Sequence, residues 1–127
     1  MQTRLALSLL TLLTPGAILR AQTAPAYDTA ALRNVMIAAR DGVKLATDVY
    51  LPARNGSMAA GKFPAVVERT PYNKDSVPAV LVNYYVRHGY AVVIQDVRGR
   101  YSSGGHWRPI RDDGADGAEL LRWIGEQ

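Results

Sequence analysis

The sequence predicts an α/β fold, in which a β-hairpin leads into two strand–helix units of a mostly parallel sheet. Three observations carry this expectation. Two alternating apolar runs flank Asp41-Gly42, between Asn34 and Leu51. Two short continuous apolar runs, Phe63 to Arg69 and Tyr90 to Asp96, read as strands buried on both faces. A segment with helical apolar spacing follows each of them. Strand–helix–strand order implies parallel strands with right-handed crossovers, and ligand sites in such sheets lie at the carboxyl ends of the strands. The 127 residues allow one domain at most, and 48% hydrophobic with 20% charged residues is a globular composition.

The chain opens with a targeting pattern. Met1 to Arg4 carries one basic side chain, Leu5 to Leu13 is apolar, Thr14-Pro15-Gly16 breaks the run, and small residues follow at Ala21, Ala24 and Ala26. This is the layout of a Sec signal peptide over residues 1–26, cleaved between 21 and 26. The apolar run is too short to cross a bilayer core of roughly 30 Å. The expected mature chain is secreted or periplasmic and free of the membrane. Residues 27–33 read as a short linker.

From Asn34 the elements follow one another. Val35, Ile37 and Ala39 alternate before Asp41-Gly42, and Val43, Leu45, Thr47, Val49 and Leu51 alternate after it. Asp-Gly between alternating runs signals a hairpin whose two turn residues both take positive φ. Pro52 ends the second strand, and 53–62 is a loop with its turn at Asn55-Gly56-Ser57, which also matches the glycosylation acceptor pattern. Pro64 fits only at the start of the next strand. Thr70 to Lys74 is a loop, Ser76 reads as the N-cap of a helix with Pro78 in its first turn, and Val77, Val80, Leu81, Tyr84 and Tyr85 form its apolar face. Gly89 is the expected stop. After the second buried strand, residues 97–111 form a polar loop. Asp112 or Asp113 caps a last helix whose apolar face carries Ala118, Leu121 and Ile124, flanked by Leu120 and Trp123, with Arg122 in water.

Composition excludes several chemistries. The absence of cysteine rules out a disulfide scaffold, a Cys-ligated zinc site, an iron–sulfur cluster and a thiol nucleophile. The two histidines, His88 and His106, are too few for a multi-His metal site, and no metal or cofactor is expected. The formal charge is +4, and without Arg4 and Arg20 of the targeting segment it is +2, too mild to argue for nucleic acid.

The candidate chemistry lies in the two loops after the buried strands. Tyr72 follows Pro71 directly after the first, where a phenol can donate a hydrogen bond to a developing oxyanion. Position alone favours a packing role for it. The run Gln95 to Gly105 lacks both the Walker ending and the dinucleotide glycine spacing. Arg98, Arg100, Arg108 and Arg111 make a basic patch, expected to be tied down by ion pairs to Asp96, Asp112 or Asp113. Asp112 to Gly117 fails as a calcium loop, because Gly114 and Trp123 replace required ligands. No Gly-x-Ser-x-Gly nucleophile elbow occurs in the chain.

Four ordered segments together resemble a known family. They are Asp41 to Pro52, Arg69-Thr70-Pro71-Tyr72-Asn73-Lys74, Gly89 to Arg100, and Ser103-Gly104-Gly105 with Asp112-Asp113-Gly114. In this order they resemble the start of the Xaa-Pro dipeptidyl-peptidase and cocaine-esterase family of α/β-hydrolases, over about Asn34 to Gln127. The resemblance implies a serine hydrolase acting on a small-molecule ester or peptide through an acyl-enzyme. It gives Tyr72 the role of oxyanion-hole hydroxyl, reversing the reading from position alone, and makes Asp96, Arg98 and Gly99 a structural rim of the active site. The family's nucleophilic Ser and its Asp and His partners have no counterpart in these 127 residues. The expectation is therefore an N-terminal piece of an exported hydrolase, an incomplete α/β-hydrolase fold over 34–127, inactive alone. Its strand after Phe63 would present an unpaired apolar edge. The alternative is a non-catalytic binding module, or half of a split enzyme with a complementing fragment, using the basic 98–111 loop.

Overall fold

The computed structural model describes residues 26–127; the expected signal peptide, apart from Ala26, lies outside the described residues. Five strands and two helices follow in the order β1 (Asp28–Ala38), β2 (Lys44–Arg54), β3 (Ser57–Met58), β4 (Ala65–Thr70), α1 (Ala79–Arg87), β5 (Ala91–Asp96) and α2 (Asp113–Gly125). One sheet runs β1-β2-β5-β4, with β3 paired to β2. β1, β2 and β5 pair antiparallel, and β4 pairs β5 in parallel, Ala65 opposite Ala91 through Thr70 opposite Asp96. The carboxyl ends of β4 and β5 therefore lie level, beside the start of β2.

The opening hairpin is longer and less regular than its sequence suggests. Residues 28–32, within the expected 27–33 linker, pair with β2, and Pro52 stays within the strand opposite Thr29. Extension costs little there, because β1 is a sheet edge and the alternation of Ala30 and Leu32 continues that of Val35 and Ile37. The register slips between Leu32 and Val35, a β-bulge at Arg33-Asn34 with Asn34 at φ 54°. Only Gly42 of the Asp41-Gly42 pair has positive φ, and its N–H donates to the Ala39 carbonyl. The turn spans Ala39 to Val43, one residue too long for two left-handed positions. Asn55-Gly56 takes that two-residue form instead, at φ 51° and 77°, and turns β2 back into β3.

β5 is buried along its whole length, as its composition predicts. β4 is not: Ala65 and Glu68 are exposed and Val66 and Val67 only partly covered. Both strands read alike as apolar runs, but β5 has strands on both sides and a helix over each face. β4, like β1, is a sheet edge among the described residues.

α1 covers one face and α2 the other. Val82 and Val86 pack on Val92 and Ile94, with Tyr50, Val66 and Val77 around them. Leu120 packs on Ile37, Val49 and Val93, with Trp123 and Ile124 beside it. Both buried stripes differ from the expected ones. Val80, Leu81, Tyr84 and Tyr85 face outward, as do Ala118 and Leu121, while Arg122 is exposed as expected. Each helix has apolar residues on two overlapping stripes, and periodicity alone does not rank them. On α1 the compact Val82–Val86 pair lets the helix approach the sheet, and the bulky Tyr84 and Tyr85 rings stack against His88 and Tyr90 outside. Ser76 does not cap α1. It ends a 3-10 turn, Lys74–Ser76, and Pro78 holds the N-cap position. Gly89 follows α1 at φ 89°, the left-handed stop the sequence predicts.

The corrected stripe on α2 is directly testable. Leu120→Ala is expected to cost about 2–5 kcal/mol by chemical denaturation, as for a buried leucine. Leu121→Ala is expected to stay within about 0.5 kcal/mol. The reverse ranking would show that α2 is rotated about its axis.

Candidate active site

The site is assembled at the carboxyl ends of β4 and β5. β4 ends at Thr70, and the chain turns through Pro71-Tyr72-Asn73 into the 3-10 turn. Both backbone polar groups of Tyr72 find partners. The Tyr72 N–H donates to Thr70 Oγ1 at 3.0 Å, and Ser76 Oγ donates to the Tyr72 carbonyl at 3.0 Å. Asn73 takes φ 84°, a strained conformation for a residue with a side chain, and its Oδ1 accepts the Asp75 N–H at 3.0 Å. The Tyr72 side chain itself is 78% exposed. The loop is rigidly bonded while the ring projects into solvent, so the packing role that position alone suggested for Tyr72 is not what the structure shows.

Asp96, at the end of β5, is wholly buried. It makes no ion pair among the described residues, and amides solvate its carboxylate instead. Oδ1 accepts the Lys74 N–H at 2.8 Å and Oδ2 the Ser102 N–H at 3.3 Å. Its carbonyl accepts Ser103 Oγ at 2.6 Å, and that oxygen accepts the Ala46 N–H from β2 at 2.8 Å. Asp96 thus joins the Tyr72 loop, the 97–111 loop and the central strand.

Beneath the Tyr72 loop lies a buried ion cluster that sequence reasoning missed. Lys74 Nζ sits 3.2 Å from Asp48 Oδ1 and 3.2 Å from Asp75 Oδ1, and Lys74 and Asp48 are both buried. Arg33, at the bulge and half-exposed, reaches Asp48 Oδ2 at 3.1 Å and the Asp75 carboxylate, and donates to the Tyr50 hydroxyl. Burial works against the Lys74 charge, but hydrogen bonds to Asp75 and Asp48 outweigh it and raise its pKa above the ordinary lysine value. Burial likewise raises the pKa of the Tyr50 hydroxyl, with the nearby Arg33 charge opposing it. The legible signal was Asp48 itself, a carboxylate in a strand covered on both faces.

On the opposite face one register row is polar: Thr47, Gln95 and Arg69 stand side by side on three strands. Gln95 Nε2 donates to Thr47 Oγ1 at 3.0 Å, and Arg69 Nε donates to Gln95 Oε1 at 2.9 Å. Arg69 Nη1 donates to the Asp113 carbonyl at 2.7 Å, which docks the start of α2. Burial lowers the Arg69 pKa, opposed by the Asp113 and Asp116 charges. Arg98 completes the fastening. It donates to both oxygens of Asp116 at 2.9 and 2.7 Å, and to both oxygens of Asp41 at 2.7 and 3.1 Å. The hairpin turn and α2 are thereby bound through one guanidinium, whose pKa is raised by hydrogen bonds to Asp116 and Asp41. Gly99 has φ 69°, and a Cβ there would lie 2.1 Å from the Trp107 backbone nitrogen.

The expected basic patch is tied down in part by carboxylates. Arg108 pairs with Asp112 at 2.8 Å, one of the expected partners, whereas Arg98 uses Asp41 and Asp116, and Asp96 takes no cation among the described residues. Asp112 stands at the α2 N-cap without a side-chain capping bond. Arg100 lies over the Tyr101 and Trp107 rings, 5.2 and 4.6 Å from their centroids, and donates to the Pro71 carbonyl at 3.1 Å. His88 caps α1 at the far end of the sheet, its Nδ1 2.6 Å from the Tyr84 carbonyl, and His106 is exposed in the loop. An apolar groove of about 470 Å³ runs beside α2, lined by Leu51, Phe63, Ala91, Val93 and Trp123. It opens toward the amino end of β5, away from Tyr72.

This arrangement can be set beside known proteins. The model of the X-Pro dipeptidyl-peptidase (S15) family matches residues 41–127, which spans the hairpin turn, both loops and α2. The chain belongs to that family. The cocaine esterase of Rhodococcus sp. (strain MB1 Bresler) is 46% identical over 99 residues, covering 74% of this chain and 16% of the esterase. A solved α-amino acid ester hydrolase is 30% identical with a TM-score of 0.61, covering 80% of this chain and 19% of that one. A solved CocE/NonD family hydrolase of Staphylococcus aureus, 23% identical, has the same fold with a TM-score of 0.66 over 76% of this chain and 21% of its own. The described residues are part of an α/β-hydrolase fold, and the chain spans about one sixth to one fifth of these relatives.

The Arg98 bracket carries a pH signature. Hydrogen bonding to Arg98 holds the Asp41 carboxyl below its ordinary 3.8. A depressed folded-state pKa contributes stability that is present above the unfolded value and lost as pH falls through the folded one. Asp41→Asn is expected to flatten the loss of stability below about pH 4 relative to the parent. Equal acid slopes in pH-dependent denaturation would contradict this.

Proposed function

We propose that this chain is the N-terminal part of an exported serine hydrolase that cleaves ester or peptide acyl bonds, with Tyr72 as an oxyanion-hole donor. One observation carries the reading. Tyr72 stands at the carboxyl end of the sheet with its own backbone N–H and carbonyl both bonded, yet its hydroxyl has no partner among the described residues. A phenol so presented donates to an oxygen arriving from outside the fold. A preorganised donor aimed at developing negative charge lowers the barrier to acyl transfer without reorganising during the reaction. Family membership and 46% identity to a cocaine esterase support an ester or peptide substrate.

The reaction needs groups this chain does not contain. A nucleophilic serine with its base would attack the acyl carbon, and the Tyr72 hydroxyl would share the resulting oxyanion with a backbone N–H from elsewhere in the full protein. No Gly-x-Ser-x-Gly occurs in the 127 residues, so the chain alone is proposed to be inactive. The β4 edge, with Val66 and Val67 half-covered, is where further strands would add. Export rests on the Sec-type pattern of residues 1–26. The binding-module reading loses support, because Arg98 and Arg108 are already paired with carboxylates.

Two measurements test the proposal. In the full-length hydrolase, Tyr72→Phe is expected to lower kcat by about 10²–10³, the usual loss for one oxyanion donor; unchanged kinetics would refute the role. The isolated 127-residue chain is expected neither to hydrolyse p-nitrophenyl acetate nor to take a fluorophosphonate label. Turnover with a labelled serine would overturn its inactivity.

A further inference from the structure

We infer that Asp96 and Arg100 are positioning residues for Tyr72, clamping its loop before and after it in the chain from the end of β5 and the loop that follows. This rests on the reading of Tyr72 as an oxyanion donor. Tyr72 is bracketed along the chain. Arg100 Nε donates to the carbonyl of Pro71, immediately before it, at 3.1 Å. Asp96 Oδ1 accepts the N–H of Lys74, two residues after it, at 2.8 Å. Between these two bonds Asn73 is held at φ 84°, a conformation that relaxes unless its surroundings over-determine it.

Each clamp is itself fixed. Asp96 ends the most buried strand, and its other oxygen is taken by the Ser102 N–H. Arg100 is held between its bond to Pro71 and the faces of Tyr101 and Trp107. Neither residue reaches the Tyr72 hydroxyl. Both act on the backbone, and through it on where the phenol stands. A carboxylate buried without a cation is costly. Here it joins the Tyr72 loop to the loop that carries the second clamp.

The test is a double-mutant cycle on the full-length hydrolase. Asp96→Asn keeps the side-chain shape but turns one acceptor into a donor facing an N–H. Arg100→Met keeps an unbranched stem on Trp107 and removes the donor. Each is expected to lower kcat by about tenfold or more, since small misplacement of a reacting group has costs of this order, with KM within about twofold. In a Tyr72→Phe background each is expected to cost less than about twofold, because the residue acts through the missing hydroxyl. Full costs in that background, or silent variants beside a damaging Tyr72→Phe, would overturn the positioning role and leave the Tyr72 reading intact. A silent Tyr72→Phe would overturn both. If Asp96→Asn does not fold, Arg100→Met, at a partly exposed side chain, decides the matter.

Discussion

β5 is the constraint on which the other parts of this structure depend. It lies between β2 and β4, under α1 on one face and α2 on the other, and is buried from Ala91 to Asp96. A buried strand has no freedom to shift, so whatever ends it is fixed too. Its last two residues are polar, and buried polar groups must be bonded. Gln95 is satisfied sideways, by Thr47 and Arg69 in the same register row. Asp96 is satisfied forwards, by amides from both loops at the sheet's carboxyl end. The need to solvate two buried side chains is what organises the candidate site.

Two further devices extend this order outward. The Arg98 guanidinium, bonded to Asp41 and Asp116, couples the first turn of the hairpin to α2, which lies far along the chain. The bulge at Arg33-Asn34 turns Arg33 toward Asp48, and Asp48 also holds the buried Lys74 ammonium beneath the Tyr72 loop. Buried ion pairs are weak evidence of stability but strong evidence of geometry, because removing either partner leaves an uncompensated charge. Both devices anchor elements that carry or border Tyr72, and neither touches its hydroxyl.

Much of this was legible in the residues. Asp41-Gly42 between alternating runs marked the hairpin, the apolar run before Gln95 marked a buried strand, and Gly89 marked the end of α1. Four ordered motifs pointed to the family, and Tyr72 to the candidate chemistry. Three of the departures share one origin. Val80 and Leu81 were as good a helix face as Val82 and Val86, Leu121 as good as Leu120, and Phe63 to Arg69 as apolar as Tyr90 to Asp96. Choosing among them requires knowing what lies opposite, which a one-dimensional pattern does not contain.

By itself the sequence determined the order and type of the main elements, because periodicity, turn residues and strand composition are local properties. It also determined the family, because the matching motifs are contiguous stretches. Only the tertiary structure decided which stripes are buried and which carboxylate answers each arginine. Asp41 and Arg98 meet across 57 positions, and Asp48 and Lys74 across 26. Such pairs exist only once the sheet has brought distant segments into register, and desolvation then leaves each buried charge no partner but the one the fold supplies.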